Sequence, residues 1–121
     1  MTSVLIIDDS PTETYAYELM LKKKGYEVLT AENGVDGVLL AKQQQPDVIL
    51  MDIVMPGLNG FQATRQLTKA AETSHIPVII ISTKAQQTDR VWGQRQGAKE
   101  YLIKPVAQAA LFSAIDGVLK A

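Results

Sequence analysis

The chain has 121 residues, of which 46% are apolar and 21% are charged, and its net charge is −1. This composition is typical of one globular domain and excludes a strongly basic nucleic-acid-binding protein. The absence of cysteine excludes disulfides and thiolate metal sites and favours a reducing cytoplasm. No apolar stretch approaches the roughly 20 residues that span a bilayer. Because Met1-Thr2-Ser3 leads directly into strand-like sequence, we expect no signal peptide. We expect one domain over residues 1–121, without an output domain.

Short apolar runs alternate with longer segments of helical periodicity along the chain. In chain order they predict strand 4–8, helix 11–24, strand 27–30, helix 34–44, strand 48–52, helix 60–71, strand 77–82, helix 86–96, strand 100–103 and helix 107–120. Five strand–helix repeats of this size predict an α/β fold, in which helices cover both faces of a five-stranded parallel sheet. The second strand is short and polar, which favours an edge position.

The first and fourth predicted helices carry local signals. Ser10 and Glu13 have the spacing of a capping box, with Pro11 at the first helical position. Gly93 lies inside the fourth helix, which we expect to be the loosest of the five because glycine costs about 1 kcal/mol relative to alanine there. Trp92 beside it is interpreted as a packing residue, although tryptophan is also enriched at interfaces.

Polar side chains follow four of the five apolar runs. Asp8 and Asp9 follow the first run, Asp52 follows the third, Ser82 ends the fourth, and Lys104 follows the fifth. Ligands of open α/β sheets bind outside the carboxyl ends of the strands. We therefore expect these side chains to converge on one site. Three carboxylates at close range repel one another unless a cation or an incoming group compensates them.

Helix capping explains at most one of the three carboxylates. Ser10 already occupies the capping position after the acidic pair, and Asp52 precedes a loop. Carboxylate oxygens with a backbone carbonyl suit Mg²⁺, and a carboxylate beside such an ion can attack phosphorus and become an acyl phosphate. The ion, Lys104 and Ser82 would then stabilise the transferring phosphoryl oxygens. For Lys104 alone, a solvated lysine at a strand end is the alternative.

With Met55-Pro56, Gly60, Tyr101 and Pro105 added, these residues stand in the order and spacing of a known family. The chain resembles, over essentially its whole length, the receiver (response regulator) domains of bacterial two-component signalling, such as the chemotaxis protein CheY. The resemblance implies a doubly wound, flavodoxin-like sheet of order 2-1-3-4-5. It also implies a switch whose protein–protein interactions change on phosphorylation by a histidine kinase. Such a protein catalyses only its own phosphotransfer and dephosphorylation and is not a dedicated enzyme.

The same resemblance implies roles for individual residues. These are the catalytic set Asp52 (the phosphoacceptor), Lys104 and Ser82, the switch pair Ser82 and Tyr101, and the metal ligands Asp8, Asp9, Asp52 and the backbone carbonyl of Val54. The ion is expected to be Mg²⁺ (or Mn²⁺), and Asp8 reaches it directly or through a water molecule. Gly60 and Pro105 are expected to be structural, with a cis peptide bond before the proline. Thr83 stands where the family favours a smaller residue, so phosphoryl access is expected to be slightly restricted.

A narrower resemblance covers segments 11–13, 52–65 and 89–93, which are similar to the PilH-like single-domain regulators of the chemosensory system that controls type IV pili and twitching. It implies a CheA-like histidine kinase as phosphodonor. It also implies an unidentified downstream protein that binds the face formed by the fourth helix, fifth strand and fifth helix. We expect a cytoplasmic monomer that neither binds nucleic acid nor inserts into a membrane.

Four other functions are weighed against this one. The molecule is alternatively a phosphate sink for a shared kinase, or a receiver that has lost phosphorylation, which the intact acidic set disfavours. An aspartyl-phosphate phosphatase needs a second aspartate two residues after the nucleophile, where this chain has Val54. A flavodoxin-like FMN carrier needs a first loop that binds phosphate, and Asp8 and Asp9 would repel it.

Overall fold

Five strands alternate with five helices in residues 1–120, the part of the chain that the computed structural model describes. In chain order they are β1 (Ser3–Ile7), α1 (Pro11–Lys23), β2 (Glu27–Ala31), α2 (Gly34–Gln44), β3 (Val48–Met51), α3 (Gly60–Lys69), β4 (Val78–Ser82), α4 (Gln87–Arg95), β5 (Glu100–Ile103) and α5 (Gln108–Lys120). The ten predicted elements are confirmed, with boundaries that agree within two residues. No helix in this range is long and apolar enough to cross a membrane.

The five strands form one parallel sheet in the order β2-β1-β3-β4-β5. This confirms the predicted order and the edge position of β2. The register places Ile7 of β1 opposite both Ala31 of β2 and Met51 of β3, so the central strands end at the same level. Ser82 of β4 likewise lies opposite Ile103 of β5. Residues that directly follow these strands therefore meet at one edge of the sheet.

Two hydrophobic clusters lie on opposite faces of the sheet. Alternate residues of a strand point to opposite faces, so Leu5 and Ile7 enter one cluster while Val4 and Ile6 enter the other. Helices α2 and α3 complete the first cluster, and α1 and α5 complete the second. Because both faces are covered, β1, β3 and β4 are apolar along nearly their whole length, as the sequence shows.

Helix α4 contributes little to either cluster. Among its residues only Gly93 is buried, and a Cβ built there would lie 3.0 Å from Ile80 and 3.1 Å from Tyr101. The glycine therefore lets α4 approach strands β4 and β5 closely. Trp92 is 49% exposed and lies outside both clusters, so the prediction of a packing residue is wrong. The helix instead packs on the sheet through the neighbouring Gly93, and Trp92 is left exposed.

The start of α1 differs from its prediction in one respect. The Ser10 hydroxyl accepts a hydrogen bond from the Glu13 N–H at 3.3 Å, with Pro11 at the first helical position. The second half of the predicted capping box is wrong, because the Glu13 carboxylate pairs with Lys104 instead of with the backbone of Ser10. A complete capping box is found at the start of α3, where Asn59 and Gln62 exchange both hydrogen bonds.

Candidate functional site

Three carboxylates meet where β1 and β3 end. The N–H of Asp52 donates to the carbonyl of Ile7 at 3.0 Å, and the N–H of Asp8 donates to the carbonyl of Ala31 at 3.1 Å. These bonds continue the strand ladders by one residue and fix both aspartates at the rim. Asp8, Asp9 and Asp52 each place a carboxylate oxygen within 4.8 Å of the other two. Asp8 and Asp52 are buried, whereas Asp9 is exposed.

Lys104 supplies the positive charge of the site. It follows β5, the edge strand opposite β2. Its N–H donates to the carbonyl of Ser82 at 2.9 Å, which ties the end of β5 to the end of β4, and the peptide bond to Pro105 is cis. The Lys104 ammonium lies 2.7 Å from the Glu13 carboxylate, 3.2 Å from that of Asp52 and 3.5 Å from that of Asp8. The single Lys104 ammonium is therefore shared by three carboxylates.

Burial makes the ionised forms of Asp8 and Asp52 unfavourable, and the nearby positive charge offsets this only in part. It raises the pKa of Asp8 from 3.8 to about 6, although the Ser10 N–H donates to this carboxylate at 2.8 Å and opposes the shift. Burial also raises the pKa of Asp52, against the attraction of the Lys104 ammonium. For Lys104, burial alone would lower the pKa, but the hydrogen bond to Glu13 and the charges of Asp52 and Asp8 outweigh it and raise the pKa. The site therefore carries more negative charge than its lysine neutralises.

The hydroxyl groups of the site connect it to the loop between β4 and α4. Ser82 is fully buried, and its hydroxyl accepts a hydrogen bond from the Lys84 N–H at 3.1 Å. The Tyr101 hydroxyl donates to the carbonyl of Lys84 at 2.7 Å. The Arg90 guanidinium lies 5.6 Å from the centre of the Tyr101 ring, within cation–π range. Ser82 and Tyr101 thus bind the N–H and the carbonyl of the same residue, Lys84, although they come from different strands.

The loop after Asp52 folds back over the end of β3. The N–H of Gly60 donates to the carbonyl of Ile53 at 2.9 Å. A Cβ at Gly60 would lie 2.0 Å from the Asp52 carbonyl oxygen, so only glycine fits this crossing. Met55 is buried beneath the loop, and the Val54 side chain is exposed at its outer side. Gly60 therefore fixes the path of the backbone beside the acidic cluster.

Sequence reasoning missed the role of Glu13 at this site. The residue has the right spacing for helix capping, and nothing in the order of residues links it to Lys104, 91 positions away. The contact arises because α1 packs on the face of the sheet where the segment after β5 also passes. An acidic residue in the first turn of α1, four positions after Asp9, is the signal that was available.

The comparison with protein families decides the identity of the domain. The family described as response regulator receiver domain matches residues 4–116. The chain belongs to this family. The predicted resemblance is thereby confirmed, including the regulatory class of the protein. Receiver domains take a phosphoryl group from a histidine kinase and bind Mg²⁺ in their acidic site.

Three relatives set this receiver domain in context. It is 66% identical to Protein PilH of Pseudomonas aeruginosa over 98% of each chain. The structure of the chemotaxis protein CheY4 of Vibrio cholerae is 28% identical and superimposes with a TM-score of 0.93, covering 98% of this chain and 99% of that one. The receiver domain of the sensor histidine kinase PA1611 of Pseudomonas aeruginosa is 31% identical, with a TM-score of 0.92 over 99% and 98% of the chains. That structure contains a magnesium ion coordinated in the active-site cleft.

Proposed function

We propose that Asp52 is the phosphoacceptor of this receiver domain and that a histidine kinase is the donor. The observation that carries the proposal is the position of Asp52, whose carboxylate lies 3.2 Å from the Lys104 ammonium and within 4.8 Å of two further carboxylates. An oxygen of Asp52 attacks phosphorus, and the bond from phosphorus to the histidine nitrogen of the kinase breaks. The product is an aspartyl phosphate, which replaces one negative charge by nearly two.

The acidic cluster fits a magnesium ion. Two ligands on opposite sides of Mg²⁺ lie about 4.2 Å apart, because each metal–oxygen distance is about 2.1 Å. The spacing of Asp8, Asp9 and Asp52, up to 4.8 Å, needs only a small contraction to match. The raised pKa of Asp8 indicates uncompensated charge at the same place. We assign these three residues and the Val54 carbonyl as ligands of Mg²⁺, with Mn²⁺ as the alternative ion. The bound ion supplies positive charge beside the phosphoryl oxygens.

Lys104 and Ser82 are proposed to hold the phosphoryl oxygens after transfer. Lys104 is close enough to follow the new charge on Asp52 with a small side-chain movement. The Ser82 hydroxyl accepts its present hydrogen bond from the Lys84 N–H, so its own proton is available to a phosphoryl oxygen. Movement of the hydroxyl toward that oxygen would strain its bond to Lys84, whose carbonyl accepts from the Tyr101 hydroxyl. This supports Ser82 and Tyr101 as a coupled switch, with Gly60 and Pro105 as structural residues.

The biological output is proposed from the similarity to PilH. An identity of 66% over 98% of both chains supports a role in the control of type IV pili and twitching, with a CheA-like kinase as phosphodonor. We propose a cytoplasmic monomer that acts as a single domain and contacts its downstream partner through α4, β5 and α5. The half-exposed Trp92 belongs to α4, which favours a protein partner over a pure phosphate sink. Val54 in place of a second aspartate disfavours phosphatase turnover.

Phosphotransfer from a radiolabelled histidine kinase tests the acceptor. Wild-type protein should take the label in the presence of Mg²⁺, and Asp52→Asn should not, because an amide cannot attack phosphorus. The matched control is Asp116→Asn, which makes the same change on an exposed aspartate of α5 and should be labelled like the wild type. Label that persists in Asp52→Asn would remove Asp52 as the acceptor.

A further inference from the structure

Glu13 contacts Lys104, the lysine proposed to bind the phosphoryl group, from the solvent side. Of the three carboxylates around the Lys104 ammonium, Glu13 is the nearest, at 2.7 Å, ahead of Asp52 at 3.2 Å and Asp8 at 3.5 Å. The Glu13 side chain is 41% exposed, while that of Lys104 is 10% exposed. The resting lysine is therefore shared between the buried acceptor and a partly exposed carboxylate.

The position of Glu13 is fixed by its helix. It lies in the first turn of α1, where its N–H donates to the Ser10 hydroxyl. Glu13 and Lys104 both line an open cavity of about 410 Å³ between α1 and the segment after β5, together with Tyr17 and Thr83. Since Glu13 and Asp52 contact the same nitrogen, their carboxylate oxygens lie no farther apart than about 6 Å, a distance at which charges at a protein surface still interact.

We propose that Glu13 is a positioning residue that holds Lys104 in the resting protein and opposes the arrival of the phosphoryl group at Asp52. The inference rests on the proposed phosphorylation of Asp52. A phosphoryl group carries nearly two negative charges, so Lys104 is drawn toward it and the Glu13 carboxylate is left beside a like charge. Glu13 thus lowers the rate of phosphorylation. By adding a negative charge next to the acidic cluster, it also strengthens the attraction for a divalent cation.

Acetyl phosphate is a suitable phosphodonor for the test because no partner protein takes part. One oxygen of Asp52 bonds to phosphorus, the bond between phosphorus and the acetate oxygen breaks, and acetate leaves with the electron pair. No proton is transferred. Intact-mass spectrometry follows the reaction at saturating Mg²⁺, and isothermal titration calorimetry gives the Mg²⁺ affinity of the same samples.

Glu13→Gln removes the charge and keeps the shape. We expect phosphorylation about three- to fivefold faster than in the wild type and Mg²⁺ affinity weaker by a similar factor, the size typical of one partly exposed charge pair. Both differences should shrink as salt concentration rises. A variant that merely loosened the fold would lower the rate and the affinity together. The matched control is Glu18→Gln on the same helix, which breaks the surface pair with Lys22 and should change neither quantity.

The outcomes separate this inference from the proposed function. An unchanged or slower rate in Glu13→Gln overturns the inference, and so does an equal acceleration in Glu18→Gln. Wild-type protein that takes no phosphoryl group at Asp52 overturns the proposed function instead. In that case the calorimetry still tests the placement of Glu13, because equal Mg²⁺ affinity in the wild type and Glu13→Gln contradicts it.

Discussion

Replacing Asp8 by asparagine should stabilise the metal-free protein at neutral pH. Asp8 is 4% exposed, and its burial raises its pKa from 3.8 to about 6. One pKa unit corresponds to about 1.36 kcal/mol, so ionisation of Asp8 lowers the free energy of unfolding by about 3 kcal/mol at neutral pH. Asparagine has no such charge. It also removes one of the three carboxylates around Lys104, so the net gain is expected at about 1–3 kcal/mol.

The sign of the pH dependence distinguishes this effect from general repacking. Because the folded-state pKa of Asp8 is raised, the folded protein binds a proton that the unfolded chain has already released. The free energy of unfolding of the wild type therefore falls as pH rises through the window from about 4 to about 6. In Asp8→Asn this contribution is absent. The advantage of Asp8→Asn should be about a third as large at about pH 4.5 as at about pH 7.5.

Urea unfolding in EDTA at the two pH values measures the difference. Glu72→Gln is the control, since it makes the same carboxylate-to-amide change on an exposed side chain and should match the wild type at both. Saturating Mg²⁺ should abolish the advantage of Asp8→Asn, because the ion compensates the buried charge only where the carboxylate is present. An advantage of equal size at both pH values, or a variant less stable than the wild type at the higher one, would refute the assignment of strain to Asp8.

Two further predictions concern the metal and the glycines. Millimolar Mg²⁺ should raise the melting temperature of the wild type, and Asp9→Asn should weaken that effect by removing one ligand; an unchanged melting curve in both would remove the metal assignment. Gly60→Ala should lower the free energy of unfolding by at least about 2 kcal/mol, since its Cβ would meet the Asp52 carbonyl oxygen at 2.0 Å. Gly117→Ala, where a Cβ meets nothing within 4 Å, should raise it by up to about 1 kcal/mol through helix propensity. Urea unfolding of the pair checks both, and equal effects would contradict the steric account.

Most of the fold follows from patterns that the sequence carries locally. Short continuous apolar runs such as Val78 to Ile81 are typical of strands that are buried on both faces. The more polar β2 is typical of an edge strand, which is partly exposed. The meeting of Asp8, Asp9 and Asp52 also follows, because neighbouring parallel strands that end at the same level bring their following residues together. The resemblance to receiver domains supplies the strand order, which periodicity alone does not.

Contacts between distant segments escape this kind of reasoning. Trp92 was wrongly predicted and the role of Glu13 was missed. In both cases the neighbouring residues in the sequence suggest a contact different from the one in the structure. Gly93 lets α4 pack closely against Ile80 and Tyr101, and Trp92 is left exposed. This packing depends on residues of the sheet that are distant in the sequence. Glu13 has the spacing of a capping residue, yet a buried ammonium at 2.7 Å is a stronger partner than a backbone N–H at an exposed helix end. The buried Lys104 ammonium thus pairs with an acid that only the fold brings within reach, and the order of residues along the chain does not reveal which acid that is.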